Sequence, residues 1–196
     1  MYAFDKAETE LLTLGYTRVY YSISNMYGNY KAVRLMHKFH NHIVAKFNLS
    51  DKCYLFGFSR GGLYAFNYTL FYPETVEKVY LDAPVLDLKT WPPKDSEEQK
   101  QMFEGYSLNP ETLMSFHDNP IDNLKEFFDL RIPLLLVAGD SDQVVDFEKN
   151  SNTLINYCLD NKIKLKYYVK PGCKHHPHSL DDVSPIVNFV CNGKQK

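Results

Sequence analysis

The stretch Cys53-Tyr-Leu-Phe-Gly-Phe-Ser-Arg-Gly-Gly62 decides how the rest of this chain is read. Its first half is apolar and β-prone. Its second half, Gly57-Phe58-Ser59-Arg60-Gly61, sets one serine between two glycines, and the helix-compatible Gly62-Leu-Tyr-Ala-Phe-Asn-Tyr-Thr-Leu-Phe71 follows. A serine at a sharp strand-to-helix turn is the pattern of a nucleophile elbow, in which the backbone is strained and the flanking glycines give it room. Such a turn pushes one hydroxyl into an open cleft, where a base and an electrophilic carbon can both reach it.

An elbow of this kind needs an acid and then a histidine further along the chain. Ile132-Pro-Leu-Leu-Leu-Val-Ala138 reads as a short buried strand running into Gly139-Asp-Ser-Asp-Gln-Val-Val145. Leu165-Lys-Tyr-Tyr-Val169 reads as the next strand, followed by Lys170-Pro-Gly-Cys-Lys-His-His-Pro-His178. Carboxylate and imidazoles thus lie just past strand ends, the face on which open α/β sheets build their sites. Ser59, Asp142 and His175 form a candidate triad: the imidazole takes the serine proton and the acid holds it in the right tautomer. Asp140 and Asp82 compete with Asp142, His176 is the alternative base, and His178 reads as a residue bracing the loop. Three clustered imidazoles also suggest metal, but no nearby acid or cysteine pair completes a ligand set. No metal site and no cofactor are expected.

The remaining segments alternate. Residues 5–14 suit a helix closed by Gly15, residues 17–23 a strand, residues 24–29 a turn, and residues 32–47 an amphipathic helix. Residues 76–81 read as a strand, 151–161 as a helix, and a last helix starts near Pro185. This β/α alternation predicts an α/β fold: one domain over residues 1–196, with a mostly parallel sheet and helices on both faces. Residues 86–125 interrupt the alternation and read as a small cap insertion, with a helix start at Asn109-Pro110. Trp91 in the cap, with Phe58 and Tyr27, is a candidate for the pocket wall.

With 196 residues and 44% hydrophobic side chains, the chain is long enough for a real core. Lys and Arg total 22 against 24 Asp and Glu, a balance that argues against a nucleic-acid or membrane-surface partner. The four cysteines, Cys53, Cys158, Cys173 and Cys191, show no C-x-x-C spacing, so a reducing, cytoplasmic setting is expected. No run of about twenty apolar residues suggests a membrane span.

Taken in order, the motifs resemble the α/β-hydrolase serine hydrolases, in their esterase and prolyl-oligopeptidase-like branch. The matching pieces are Gly57-Phe-Ser-Arg-Gly-Gly-Leu-Tyr64, Tyr80-Leu-Asp-Ala-Pro-Val85, Asn119-Pro-Ile-Asp122, Gly139-Asp-Ser-Asp142 and residues 171–180. They cover the chain from about Leu11 to its end. The resemblance implies that the acid is the second Asp of G-D-x-D, Asp142. In the family the catalytic His follows a Gly; Lys174 stands there here, and His175 and His176 both stay open as the base.

The resemblance also implies that the chain opens at the helix before the family's fourth strand. The expected sheet then runs from the fourth to the eighth strand, N-terminally truncated. Of the usual two oxyanion donors only the N–H of Arg60 is expected within the chain, and losing one donor slows turnover about 10²–10³-fold. The exposed sheet edge favours a homodimer. The expected activity is that of a serine hydrolase cleaving a small-molecule carboxylic ester, ahead of a peptide or amide, through an acyl-enzyme. The alternative is a catalytically impaired or non-catalytic binding domain, or a gene fragment.

Overall fold

Four parallel strands lie side by side in the order in which the chain makes them. The structure, a computed structural model, describes residues 5–23 and 26–192, so Ser24 and Asn25 of the expected turn lie outside the described residues. Strands β1 (Cys53–Phe58), β2 (Val76–Asp82), β3 (Leu134–Gly139) and β4 (Lys166–Lys170) form one sheet in that order. Parallel neighbours need crossovers. Helix α3 (Gly61–Phe71) connects β1 to β2, and α7 (Ser151–Asp160) connects β3 to β4. The long β2–β3 connection holds α4 (Glu97–Tyr106), α5 (Pro110–Met114) and α6 (Leu124–Asp129). Helices α1 (Asp5–Thr13) and α2 (Tyr30–Phe47) precede the sheet, and α8 (Ser184–Cys191) closes the chain.

The period-2 geometry of a strand sorts the β3 side chains onto two faces. Leu134, Leu136 and Ala138 join Phe66 of α3, Phe127 of α6 and Leu154 of α7. Leu135 and Val137 join Ala7 and Leu11 of α1 and Ile186, Val187 and Val190 of α8. Both faces are covered, as parallel sheets require. Burying each such side chain contributes about 1.5–3 kcal/mol, and the Phe66 and Phe127 rings stack at 4.3 Å. On β2 the ammonium of Lys78 donates to the carbonyls of Phe189, Val190 and Asn192. It thereby places a positive charge at the C-terminus of α8, where the helix dipole favours one. At the start of α5 the Asn109 side chain accepts from the N–H groups of Glu111 and Thr112, each at 2.9 Å.

One expected strand is not formed. Residues 17–23 make no ladder, and Tyr20 is 80% exposed. A strand exists only when a neighbour accepts and donates along its edge, and among the described residues β1 pairs only with β2. The segment is instead held by side chains: Arg18 pairs with Glu8 of α1 at 2.9 Å, and Tyr21 stacks on Phe39 of α2 at 4.7 Å. Among the described residues the sheet therefore has four strands rather than five, matching the fifth to eighth of the expected order.

At the β1–α3 turn, Ser59 has φ +48°, a left-handed conformation rare outside glycine. Three backbone hydrogen bonds hold it there: its N–H donates to the Asp82 carbonyl at 3.0 Å, and its carbonyl accepts from Gly62 and Val85 at 2.9 Å each. The glycines that make the turn possible are Gly57 and Gly62. A Cβ on Gly57 would stand 2.8 Å from the Gly61 carbonyl, and one on Gly62 would run into the Pro84 ring. A Cβ on Gly61, the second glycine of the motif, meets nothing within 4 Å, so only the first of the two flanking glycines is sterically required. Accordingly Gly57→Ala and Gly62→Ala should each cost about 1–3 kcal/mol in denaturant unfolding. Gly61→Ala should be neutral or stabilising by up to about 1 kcal/mol. Equal losses at all three positions would contradict this reading of the turn.

Candidate active site

Four parallel strands end on the same side of the sheet, and each end delivers one polar group. Ser59 follows β1, Asp82 ends β2, Asp142 follows β3 and His175 follows β4. The Ser59 hydroxyl lies 3.0 Å from Nε2 of His175, whose Nδ1 lies 2.6 Å from Oδ2 of Asp142. The other Asp142 oxygen accepts the N–H groups of Val144 at 2.9 Å and Val145 at 3.0 Å. Burial pushes the Asp142 carboxyl up, but the bonds from His175 and from Val145 and Val144 outweigh it and hold the group below the usual carboxylate range. An ionised carboxylate only accepts, so Nδ1 carries the proton and Nε2 is left to accept from the hydroxyl. The His175 and Asp142 side chains are 6% and 2% exposed, and so dry a setting strengthens both bonds.

The loop carrying His175 is seated against β3. A Cβ on Gly139 would collide with the Cys173 carbonyl and stand 2.7 Å from that of Lys174. The Ser141 N–H donates to the Cys173 carbonyl at 3.0 Å, and Asp140 accepts the Gly172 N–H at 2.7 Å. At the loop's far end, Asp82 accepts from the Ser179 N–H at 2.5 Å, the Tyr80 hydroxyl at 2.8 Å and Nδ1–H of His178 at 3.1 Å. Burial, then the charge of Asp82, push the Tyr80 phenol far above its usual value, so it stays a donor. The two carboxylates that compete with Asp142 in the sequence thus tie down the two ends of the loop. His176 is exposed and makes no bond to Ser59; the hydroxyl meets His175.

The pocket candidates separate. Phe58 is half-buried, its ring edge-on to His178 and Tyr80 at 5.5 Å each. Tyr27 is fully buried and is a packing residue rather than the wall of an open cleft. It lies with Leu63, Leu88, Met102 and Leu113 in a third apolar cluster joining α3 to α4 and α5, with half-buried Trp91 against it. The Arg60 guanidinium sits over the Tyr27 ring at 5.2 Å. Sequence reading gave no role to two pins. Asn150 accepts the N–H groups of Leu86 and Asp87, and Asn119 that of Leu88, so they fix where residues 86–125 leave the sheet. In sequence a loop asparagine signals only a turn.

Comparison with known proteins agrees with this fold. The sequence profile of the prolyl oligopeptidase family, peptidase S9, matches residues 15–192. A search of curated proteins finds no match. Among solved structures, a putative dipeptidyl aminopeptidase IV from Bacteroides ovatus is similar, with a TM-score of 0.61 and 18% identity over 81% of this chain and 21% of that one. Esterase PE8 is similar with a TM-score of 0.54 and 17% identity, over 89% of this chain and 66% of its own. A puromycin hydrolase has a TM-score of 0.58 and 16% identity, over 83% of this chain and 24% of its own. The chain therefore spans between about a fifth and two thirds of these proteins. No helix among the described residues is long and apolar enough to cross a membrane. A profile match over nearly the whole chain, on a parallel sheet that brings serine, histidine and aspartate together, places the chain in the prolyl oligopeptidase family of α/β-hydrolase enzymes.

Proposed function

We propose that this chain is a serine hydrolase that cleaves a small-molecule carboxylic ester through an acyl-enzyme on Ser59. The observation that carries the proposal is the hydrogen-bonded series Asp142, His175, Ser59. His175 takes the hydroxyl proton at Nε2 as Oγ attacks the carbonyl carbon, and Asp142 stabilises the imidazolium that forms. The Arg60 N–H, next after the nucleophile, is the proposed donor to the developing oxyanion. His175 then hands its proton to the departing alkoxide, and a water repeats the sequence to release the acid. Phe58 and half-buried Trp91 are the proposed apolar walls for the acyl group, and residues 86–125 the cap that shapes them. Esterase PE8, of which this chain covers 66%, supports the ester reading. The family profile and the dipeptidyl aminopeptidase support a second reading, cleavage of a short peptide. Because β1 is a sheet edge among the described residues, we further propose that two copies pair there.

A fluorophosphonate probe should label the chain on one residue, and Ser59→Ala should abolish labelling. Failure to label would favour a binding domain. Between p-nitrophenyl acetate and an aminoacyl p-nitroanilide, the acetate should turn over faster; the reverse would replace esterase by peptidase.

Asp142→Asn should lower the labelling rate by about 10⁴ with the fold intact, because the amide selects the wrong imidazole tautomer. The same variant tests linkage. Asp142 is held below its unfolded value, so its stabilisation is fully present above about pH 4 and fades as pH falls through the folded value. Asp142→Asn should flatten that acid limb of the stability curve; an unchanged limb would contradict the assignment.

Sedimentation velocity should show an average mass that rises with concentration. A constant monomer would end the edge-pairing proposal.

A further inference from the structure

The loop that supplies His175 carries two more imidazoles, and the three rings form one cluster. Ring centroids stand 4.9 Å apart for His175 and His176, 5.0 Å for His175 and His178, and 4.6 Å for His176 and His178, all close to perpendicular. One nitrogen from each ring lies within 4.8 Å of the others. Three imidazoles on one tetrahedral ion, at the usual metal–nitrogen length, have centroids about 5 Å apart. The ring centres are thus already spaced as a three-histidine site spaces them, and side-chain shifts that keep the bonds to Asp142 and Asp82 are what remains to bring the nitrogens onto one ion.

Two of the rings are also oriented for the purpose. Metal-binding imidazoles characteristically donate one N–H to a carboxylate and present the other nitrogen to the ion. His175 donates Nδ1–H to Asp142 at 2.6 Å, and His178 donates Nδ1–H to Asp82 at 3.1 Å. In both the lone pair is left on Nε2. The two carboxylates lie behind the rings and supply negative charge that a cation favours. His176 is exposed, which gives an ion a way in from solvent.

We propose that His175, His176 and His178 form a site for one divalent transition-metal ion of the zinc type, with water as fourth ligand, and that the ion switches the hydrolase off. The ion and the Ser59 hydroxyl compete for the same lone pair, Nε2 of His175. With the metal bound, the serine has no base and its proton stays on Oγ. No covalent bond forms or breaks, so removing the ion restores the triad. Nitrogen ligands select zinc, copper or nickel over magnesium and calcium, which prefer oxygen. The site goes beyond the proposed esterase activity, and the binding part of its test does not depend on hydrolysis.

The experiment is calorimetric titration of the chelator-stripped chain with Zn²⁺, paired with fluorophosphonate labelling with and without the ion. One ion should bind per chain, with Mg²⁺ giving no signal. His176→Asn leaves Ser59, His175 and Asp142 in place; it should weaken Zn²⁺ at least about tenfold, and Asp82→Asn, which unties His178, about 10–100-fold. Cys173→Ser is the control for a nearby thiolate and should leave affinity within about twofold. Zn²⁺ should slow labelling of the unaltered chain and leave labelling of His176→Asn unchanged at the same concentration. Absence of Zn²⁺ binding, binding indifferent to His176→Asn, or binding lost with Cys173→Ser would each overturn the site. Zn²⁺ that binds through these histidines but leaves labelling untouched would overturn the switch.

Discussion

Every polar contact at the site depends on how closely the loop carrying His175 comes to the end of β3. The approach is so tight that Gly139 has no room for a Cβ beside the Cys173 and Lys174 carbonyls. From that contact the rest follows. Ser141 donates to the loop, and Asp140 accepts from it two residues after β4. Asp142, two residues after Asp140, arrives 2.6 Å from the imidazole. A methyl group at position 139 would push on two backbone carbonyls, which cannot swing aside as a side-chain tip can, and a shift of about 1 Å at a reacting group is worth roughly 10²-fold in rate.

Carboxylates at the sheet's C-terminal edge divide the labour. Asp142 serves the imidazole, Asp140 holds the near end of the loop, and Asp82 holds the far end through Ser179 and His178. The elbow is tied to the same strand end, because the Ser59 N–H donates to the Asp82 carbonyl. Asp82 thus joins the nucleophile's turn through its backbone to the base's loop through its side chain. This arrangement of groups locked by their neighbours is what lets a site hold its geometry before substrate arrives.

How much of this was legible in the sequence follows from how local each signal is. Ser59, Asp142 and His175 could be read because each sits in a short motif directly past an apolar run, and strand ends of one parallel sheet meet on one side. The choice between His175 and His176 could not, since adjacent residues differ only in which way the loop turns them. Residues 17–23 have the composition of a strand, but pairing is a property of two segments, and among the described residues no second segment pairs with them. The glycine error has the same origin. Gly61 belongs to the motif, but the crowding that matters comes from Pro84, beyond β2, and falls on Gly62. Tyr27 is a pocket candidate in the sequence; packing by α4 and α5 buries it.

The central claim is that the chain as it stands holds His175 as the Nδ1–H tautomer, bonded to Asp142 and offering Nε2 to Ser59. Nitrogen-detected NMR of the histidine side chains reads this directly. At neutral pH the account predicts, for His175, a protonated Nδ1 with a strongly downfield, slowly exchanging proton that disappears in Asp142→Asn. A His175 that carries its proton on Nε2, or exchanges it freely with water, would contradict the account.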